Sequence, residues 1–156
     1  MVVDTADLLQ RLAARAETLA VAESLTGGGL AAALTDVPGS SAVFLGGVVS
    51  YATAVKEQVL GVPPEVVAGP GVVSAACAEA MASGVRALLG STWALSTTGV
   101  AGPGPQDGVP AGTAYVAVAG AGGVLARRVE VTGDRGEVRA GVVAAALALL
   151  AEWTAG

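Results

Sequence analysis

Thr18-Leu19-Ala20-Val21-Ala22-Glu23-Ser24-Leu25-Thr26-Gly27-Gly28-Gly29-Leu30 changes character twice within one short stretch. Thr18–Ala22 is short and apolar, as a buried strand is. The polar, glycine-rich run Glu23–Gly29 follows, and Leu30–Thr35 then reads as the opening of a helix. A strand that runs through glycines into a helix is the beginning of a parallel α/β unit. Glycines at a helix N-terminus also let the backbone approach a ligand, with free N–H groups suited to an anion. No lysine follows, so the run is not a phosphate-binding Walker loop, and it does not spell the dinucleotide fingerprint.

The rest of the chain extends the pattern in both directions. Upstream, Asp4 or Thr5 caps a helix with Leu8, Leu9 and Leu12 on one face and Arg11, Arg15 and Glu17 toward water. Downstream, Pro38-Gly39 forces a turn, with Ser40-Ser41 after it. A second strand over Phe44–Tyr51 is interrupted by Gly46-Gly47, which signals a bulge or a close backbone contact. Thr53 caps a short helix stopped by Gly61, Pro63-Pro64 starts a new turn, and Ser74 caps a long helix to about Leu89. Thr92–Thr97 is a third strand, followed by the Gly/Pro-rich loop Thr98–Gly112. Thr113–Ala119 and Val124–Val131 flank Gly120-Ala121-Gly122-Gly123 as a hairpin. Asp134 with Glu137 forms a capping box for a last helix to about Trp153. The expected fold is one domain over residues 1–156, a three-layer α/β/α sandwich. Its five-stranded sheet is mixed and mostly parallel, the hairpin supplying one antiparallel pair.

Composition excludes much chemistry. The 156 residues contain no histidine and one cysteine, Cys77. Ser-His-Asp and Cys-His mechanisms, a Cys/His metal site and an internal disulfide are thereby removed. Proton transfer near neutral pH then falls to Lys, Tyr, Glu or Asp with a shifted pKa, or to the substrate. The net charge is −5, Lys56 is the sole lysine and the arginines are dispersed, which argues against a nucleic-acid partner. No apolar run approaches a membrane span, and Met1–Asp7 carries acidic groups where a secretory signal needs basic ones, so a cytoplasmic location is expected. An Ala/Val-rich surface makes a homo-oligomer the expected state.

Three loops leave carboxyl ends of predicted strands, where ligands collect in open α/β sheets. They carry Ser24, Thr26, Gly27 and Gly28; then Tyr51 with Lys56; then Thr98 and Gly99. A lysine partly buried at such a place loses solvation of its charge and can act as a base. Phe44 and Tyr51 are the aromatics closest in sequence to Ser41, and so the candidates to stack on a heteroaromatic substrate. Arg135 and Arg139, one turn apart, can meet an anion.

These residues also carry a resemblance. Ala22–Gly28, Thr35-Asp36-Val37-Pro38-Gly39-Ser40-Ser41, Val49-Ser50-Tyr51 with Lys56, Leu60-Gly61-Val62 and Gly71-Val72-Val73-Ser74 closely resemble the CinA carboxy-terminal domain. Thr98–Pro103, Pro110-Ala111-Gly112-Thr113 and Gly133-Asp134-Arg135 continue the likeness over nearly the whole chain. It is similar to the stand-alone form, without the amino-terminal domain of longer CinA proteins. The resemblance implies nicotinamide-nucleotide amidase activity, in which nicotinamide mononucleotide and water give nicotinate mononucleotide and ammonia in pyridine nucleotide recycling. No metal or organic cofactor is implied. Carried onto this chain, it implies Ser41 as nucleophile, Lys56 as its base and Tyr51 beside them, with Ser24 as the second candidate nucleophile. Ser24, Thr26, Gly27, Gly28, Phe44, Thr98 and Gly99 would line the nucleotide pocket, with Arg135 or Arg139 on the phosphate. Leu45-Gly46-Gly47 and the loop Pro103–Gly108 depart from the family pattern and bear on substrate preference. The alternative reading is a nucleotide-binding module that keeps the pocket without turnover.

Overall fold

The computed structural model describes residues 2–156. Leu19–Glu23 (β1) is buried along its whole length, as a central strand of a covered sheet must be. It is flanked in parallel by Phe44–Val49 (β2) and Trp93–Gly99 (β3). Thr113–Gly120 (β4) and Gly123–Glu130 (β5) complete the sheet in the order β2-β1-β3-β4-β5. The expected three-layer α/β/α architecture is the observed one, with a correction to the sheet. Two of its pairings are antiparallel, because β4 runs against β3 as well as against β5. Parallel return requires a crossover, usually a helix. The segment between Gly99 and Thr113 contains none, so the chain turns straight back.

Helices Thr5–Ala14 (α1), Gly29–Thr35 (α2) and Arg135–Trp153 (α6) cover one face of the sheet. Leu8, Leu12, Leu30, Leu34, Val142 and Leu150 pack there on Leu19, Val21 and Leu95. Ala75–Leu89 (α5) covers the other face, where Cys77, Ala78, Met81 and Val85 meet Ala20, Ala22, Ala94 and Ala117. Small residues on that face of the sheet let α5 lie close. Two short helices, Thr53–Gln58 (α3) and Pro64–Ala68 (α4), link β2 to α5.

Local signals place the helix ends. Ser74 accepts from the Cys77 N–H, and Asp134 with Glu137 forms a reciprocal capping box at α6. Thr53, in contrast, is the first residue of α3 and makes no side-chain cap. The glycine pair in β2 meets both of its expectations. The register against β1 shifts at Leu45, and a Cβ on Gly47 would lie 2.6 Å from the Val21 side chain. Among the described residues no helix is long and apolar enough to cross a membrane.

Candidate active site

Because β2, β1 and β3 are adjacent and parallel, their carboxyl ends open on one side of the sheet. β1 delivers Glu23 and then Ser24, β2 delivers Ser50 and Tyr51, and β3 ends at Thr97, Thr98 and Gly99. A cleft of about 330 Å³ lies over these ends, lined by Ser24, Tyr51, Lys56, Thr98, Gly99 and Arg135 among others.

Lys56 reaches this point from α3 and is only 2% exposed. Its Nζ lies 2.9 Å from Ser24 Oγ, 2.7 Å from the Ser50 carbonyl and 3.2 Å from the Tyr51 carbonyl. No carboxylate forms an ion pair with it among the described residues. Burial lowers its pKa from the ordinary lysine value, and the neighbouring Cys77 opposes that shift. All three partners accept from Nζ, and in the neutral amine two N–H groups can stay on the carbonyls while the lone pair faces the Ser24 hydroxyl, which is able to donate to it. Cys77 itself is pushed up by burial, with Lys56 acting in the other direction.

Glu23, next to Ser24, is buried at 1% exposure. Its Oε1 accepts from Thr26 Oγ1 at 2.6 Å and from the Leu30 N–H at 2.7 Å, and its Oε2 accepts from the Ala31 N–H at 3.0 Å. The N-terminal amides of α2 thus hold a carboxylate of the chain itself, and the helix dipole offsets the buried charge. This corrects the expectation that these amides are free for a ligand anion. Thr26, fully buried, bonds to Glu23 and to Thr97 Oγ1 at 2.8 Å, so it braces the turn and does not line the cleft. Gly27 and Gly28 are likewise parts of the turn. Their φ angles of 56° and 103° fall in the left-handed region that glycine adopts without strain. Ser24 is held in place by its N–H donating to the Thr97 carbonyl.

The two arginines divide. Arg139 donates from Nε to the Leu25 carbonyl and from Nη2 to the Thr26 carbonyl, clamping the turn onto α6 outside the cleft. Arg135 lines the cleft, donating to the Gly102 carbonyl at 2.6 Å and to Tyr51 Oη at 3.2 Å. Thr98 and Gly99 also line it, with the Thr98 hydroxyl committed to the Val72 carbonyl.

Ser41 is not brought to Lys56. It is exposed in a short 3-10 turn, Ser40–Ala42, ahead of β2, whereas Lys56 follows that strand. The length of β2 separates them, roughly 20 Å at the usual rise per residue. The expected Ser41–Lys56 pairing is therefore replaced by Ser24–Lys56. Phe44 starts β2 at the same remote end and packs against the core, so it stacks on nothing in the cleft. Of the two aromatics expected there, only Tyr51 is present. Sequence reasoning missed the bracing role of Glu23 and the carbonyls of Ser50 and Tyr51. An acid at the end of a buried strand, directly before a glycine turn, was the available signal for the first.

The fold and this cleft define the class: an α/β/α domain with a buried serine–lysine pair at the carboxyl ends of its parallel strands. The chain belongs to the CinA C-terminal domain family, whose model matches residues 4–154. A CinA-like protein of Frankia casuarinae is 52% identical over 149 residues, 96% of this chain and 34% of that protein. One of Myxococcus xanthus is 53% identical over 137 residues, 85% of this chain and 32% of that one. The chain thus spans about a third of the length of these relatives. Among solved structures, a CinA superfamily protein from Klebsiella pneumoniae superposes with a TM-score of 0.92 at 39% identity, covering 98% of this chain and 99% of that one. One from Escherichia coli gives 0.92 at 33% identity, covering 96% and 87%.

Proposed function

We propose that the chain is an amidohydrolase that converts nicotinamide mononucleotide and water to nicotinate mononucleotide and ammonia. The carrying observation is the Ser24–Lys56 contact at 2.9 Å, made by a buried lysine whose pKa is lowered, in a chain without histidine. A serine hydroxyl needs an adjacent base to act as nucleophile, and a desolvated lysine serves as one.

In this reading Ser24 Oγ attacks the carboxamide carbon as its proton passes to Lys56 Nζ. The oxyanion develops beside the turn that carries Ser24. The N–H of Leu25, a residue that lines the cleft, has no protein acceptor among the described residues and is the donor suited to it. Lys56 then gives its proton to the departing nitrogen and ammonia leaves. Water, deprotonated by the same amine, cleaves the resulting ester and frees Ser24. The Ser50 and Tyr51 carbonyls hold the ammonium form between these transfers. Arg135, exposed at the rim beside Tyr51, is the cationic group placed for the nucleotide phosphate.

The test is ammonia release from nicotinamide mononucleotide by the wild type, by Ser24→Ala and by Ser41→Ala. Wild type and Ser41→Ala should turn over while Ser24→Ala does not. A folded wild type that binds the nucleotide but releases no ammonia would leave only a binding module. Activity lost with Ser41 and kept without Ser24 would overturn the assignment.

A further inference from the structure

The Ser24 hydroxyl stands where β1 stops and its neighbour β3 continues. The parallel register of the two strands ends at Glu23 against Thr97, whereas β3 runs on to Gly99. The Ser24 N–H makes the last bond between them, donating to the Thr97 carbonyl at 3.0 Å. In a continuing parallel ladder the Gly99 N–H would next donate to the Ser24 carbonyl. That carbonyl is instead taken by the Gly27 N–H at 3.1 Å, inside the turn that leads from β1 to α2.

The direction of the Gly99 N–H follows from its neighbours. The Val100 N–H donates to the Thr113 carbonyl on the β4 side at 2.9 Å, while the Thr97 carbonyl faces β1. Backbone groups alternate along a strand, so the Gly99 N–H points away from β4 and toward the line that β1 has left. It has no protein acceptor among the described residues, and Gly99 lines the cleft. Neighbouring strands lie about 4.8 Å apart, so the space beyond the end of β1 has room for a substrate carbonyl. A Cβ at Gly99 would lie 2.6 Å from the Ala114 Cβ and 2.8 Å from the Thr113 carbonyl oxygen, so the packing of β3 on β4 keeps this position bare.

In the acyl transfer, Ser24 Oγ bonds to the carboxamide carbon, its proton passes to Lys56 Nζ, and the carbonyl π pair moves onto oxygen. A fixed N–H aimed at that oxygen gains strength as the charge develops. The α/β-hydrolases meet such an oxygen with the N–H of the residue after the nucleophile and a second N–H from a separate segment. Here Leu25 is the residue after Ser24, and Gly99 belongs to the adjacent strand.

We propose that the Gly99 N–H is the second oxyanion donor of this site, completing with the Leu25 N–H a two-donor pocket at the end of β1. The proposal rests on the acyl-transfer reading of Ser24 and Lys56, and adds to it a catalytic group that has no side chain.

The experiment is Gly99→glycolate, introduced by nonsense suppression, which turns the Thr98–Gly99 peptide bond into an ester. The N–H is deleted and no atom is added on the crowded Ala114 side. In the ammonia assay kcat should fall about a hundredfold or more, with KM within about threefold of wild type. A folded ester protein that keeps its kcat overturns the proposal. So does one that loses only KM, because the contact is then made equally in the ground state. A second measurement needs neither the ester nor this substrate. Pyridine-3-boronic acid adds to a nucleophilic serine as a tetrahedral adduct with an anionic centre, and amide NMR of the wild type should show the Gly99 proton moving downfield on saturation. The same titration of Ser24→Ala should leave that proton in place. A Gly99 proton that does not move in the wild type, or that moves equally in Ser24→Ala, overturns the donor. A shift confined to the wild type supports the donor even if nicotinamide mononucleotide is not turned over, in which case only the choice of substrate fails.

Discussion

Replacing Lys56 by Met keeps most of the stem volume and removes the amine, which makes the pair a probe of the pKa that the mechanism requires. Burial lowers the Lys56 pKa below the ordinary value of 10.5 in the folded chain, whereas the unfolded chain keeps that ordinary value. Between the lowered value and 10.5 the unfolded chain therefore binds one proton more than the folded one. Stability rises with pH wherever the unfolded state binds more protons, so the wild type should gain about 1.4 kcal/mol per pH unit across that window relative to Lys56→Met. Below the lowered value both states are protonated and the difference is flat; above 10.5 both are neutral and it is flat again. Cys77 works in the opposite sense, since burial raises its pKa and its contribution is lost as the unfolded thiol ionises. Both proteins are thus best compared in a Cys77→Ala background. The assay is denaturant unfolding at a series of pH values. The reading has a second, independent arm, because the same amine must be neutral to accept the Ser24 proton. The rising limb of kcat/KM against pH should have its midpoint where the stability difference begins to climb. A stability difference that stays flat from neutral pH to about pH 10, with both proteins folded, refutes the claim that the fold depresses this lysine. A climb whose onset disagrees with the kinetic midpoint refutes its role as the base.

Ser24→Ala should lower kcat by at least about a thousandfold, and adding Lys56→Met should cost little more, because a nucleophile and its base act as one unit. Ser41→Ala should stay within about twofold of wild type in the same ammonia assay, since it lies outside the unit that reacts. Glu23→Gln puts an amide donor among three donors, the Thr26 hydroxyl and the Leu30 and Ala31 N–H groups. Losing one bond to a charged acceptor should cost about 3 kcal/mol, read as a melting point roughly 6–12 °C lower. Arg135→Gln should raise KM for the nucleotide about tenfold or more and leave KM for the riboside nearly unchanged, whereas Arg139→Gln should lower stability because its guanidinium holds the Leu25 and Thr26 carbonyls.

What could be read from the sequence was whatever short-range chemistry decides. The Ser74 cap, the Asp134–Glu137 capping box and the hairpin between β4 and β5 each depend on neighbours a few residues away, and each stands where their residues put it. The direction of β4 depends on what is missing between Gly99 and Thr113. The glycines and prolines of that loop speak against a crossover helix.

Ser41 shows a different limit. It is closer to Lys56 in sequence than Ser24 is, and the family resemblance carried the nucleophile onto it. In a parallel sheet, however, a residue ahead of a strand lies at the amino end and a residue behind it at the carboxyl end. Ser41 precedes β2 and Lys56 follows it, while Ser24 follows the neighbouring parallel strand β1. Topology alone, once β1 and β2 are recognised as parallel neighbours, therefore puts Ser24 and Lys56 on one side of the sheet and Ser41 on the other. The anion expected at the α2 N-terminus turned out to be Glu23 for a related reason. A helix N-terminus selects a negative charge without specifying its source, and the chain supplies one in the residue just before its candidate nucleophile. With those amides occupied, the phosphate of the proposed nucleotide substrate has to be met elsewhere in the cleft, where Arg135 places its guanidinium at the rim.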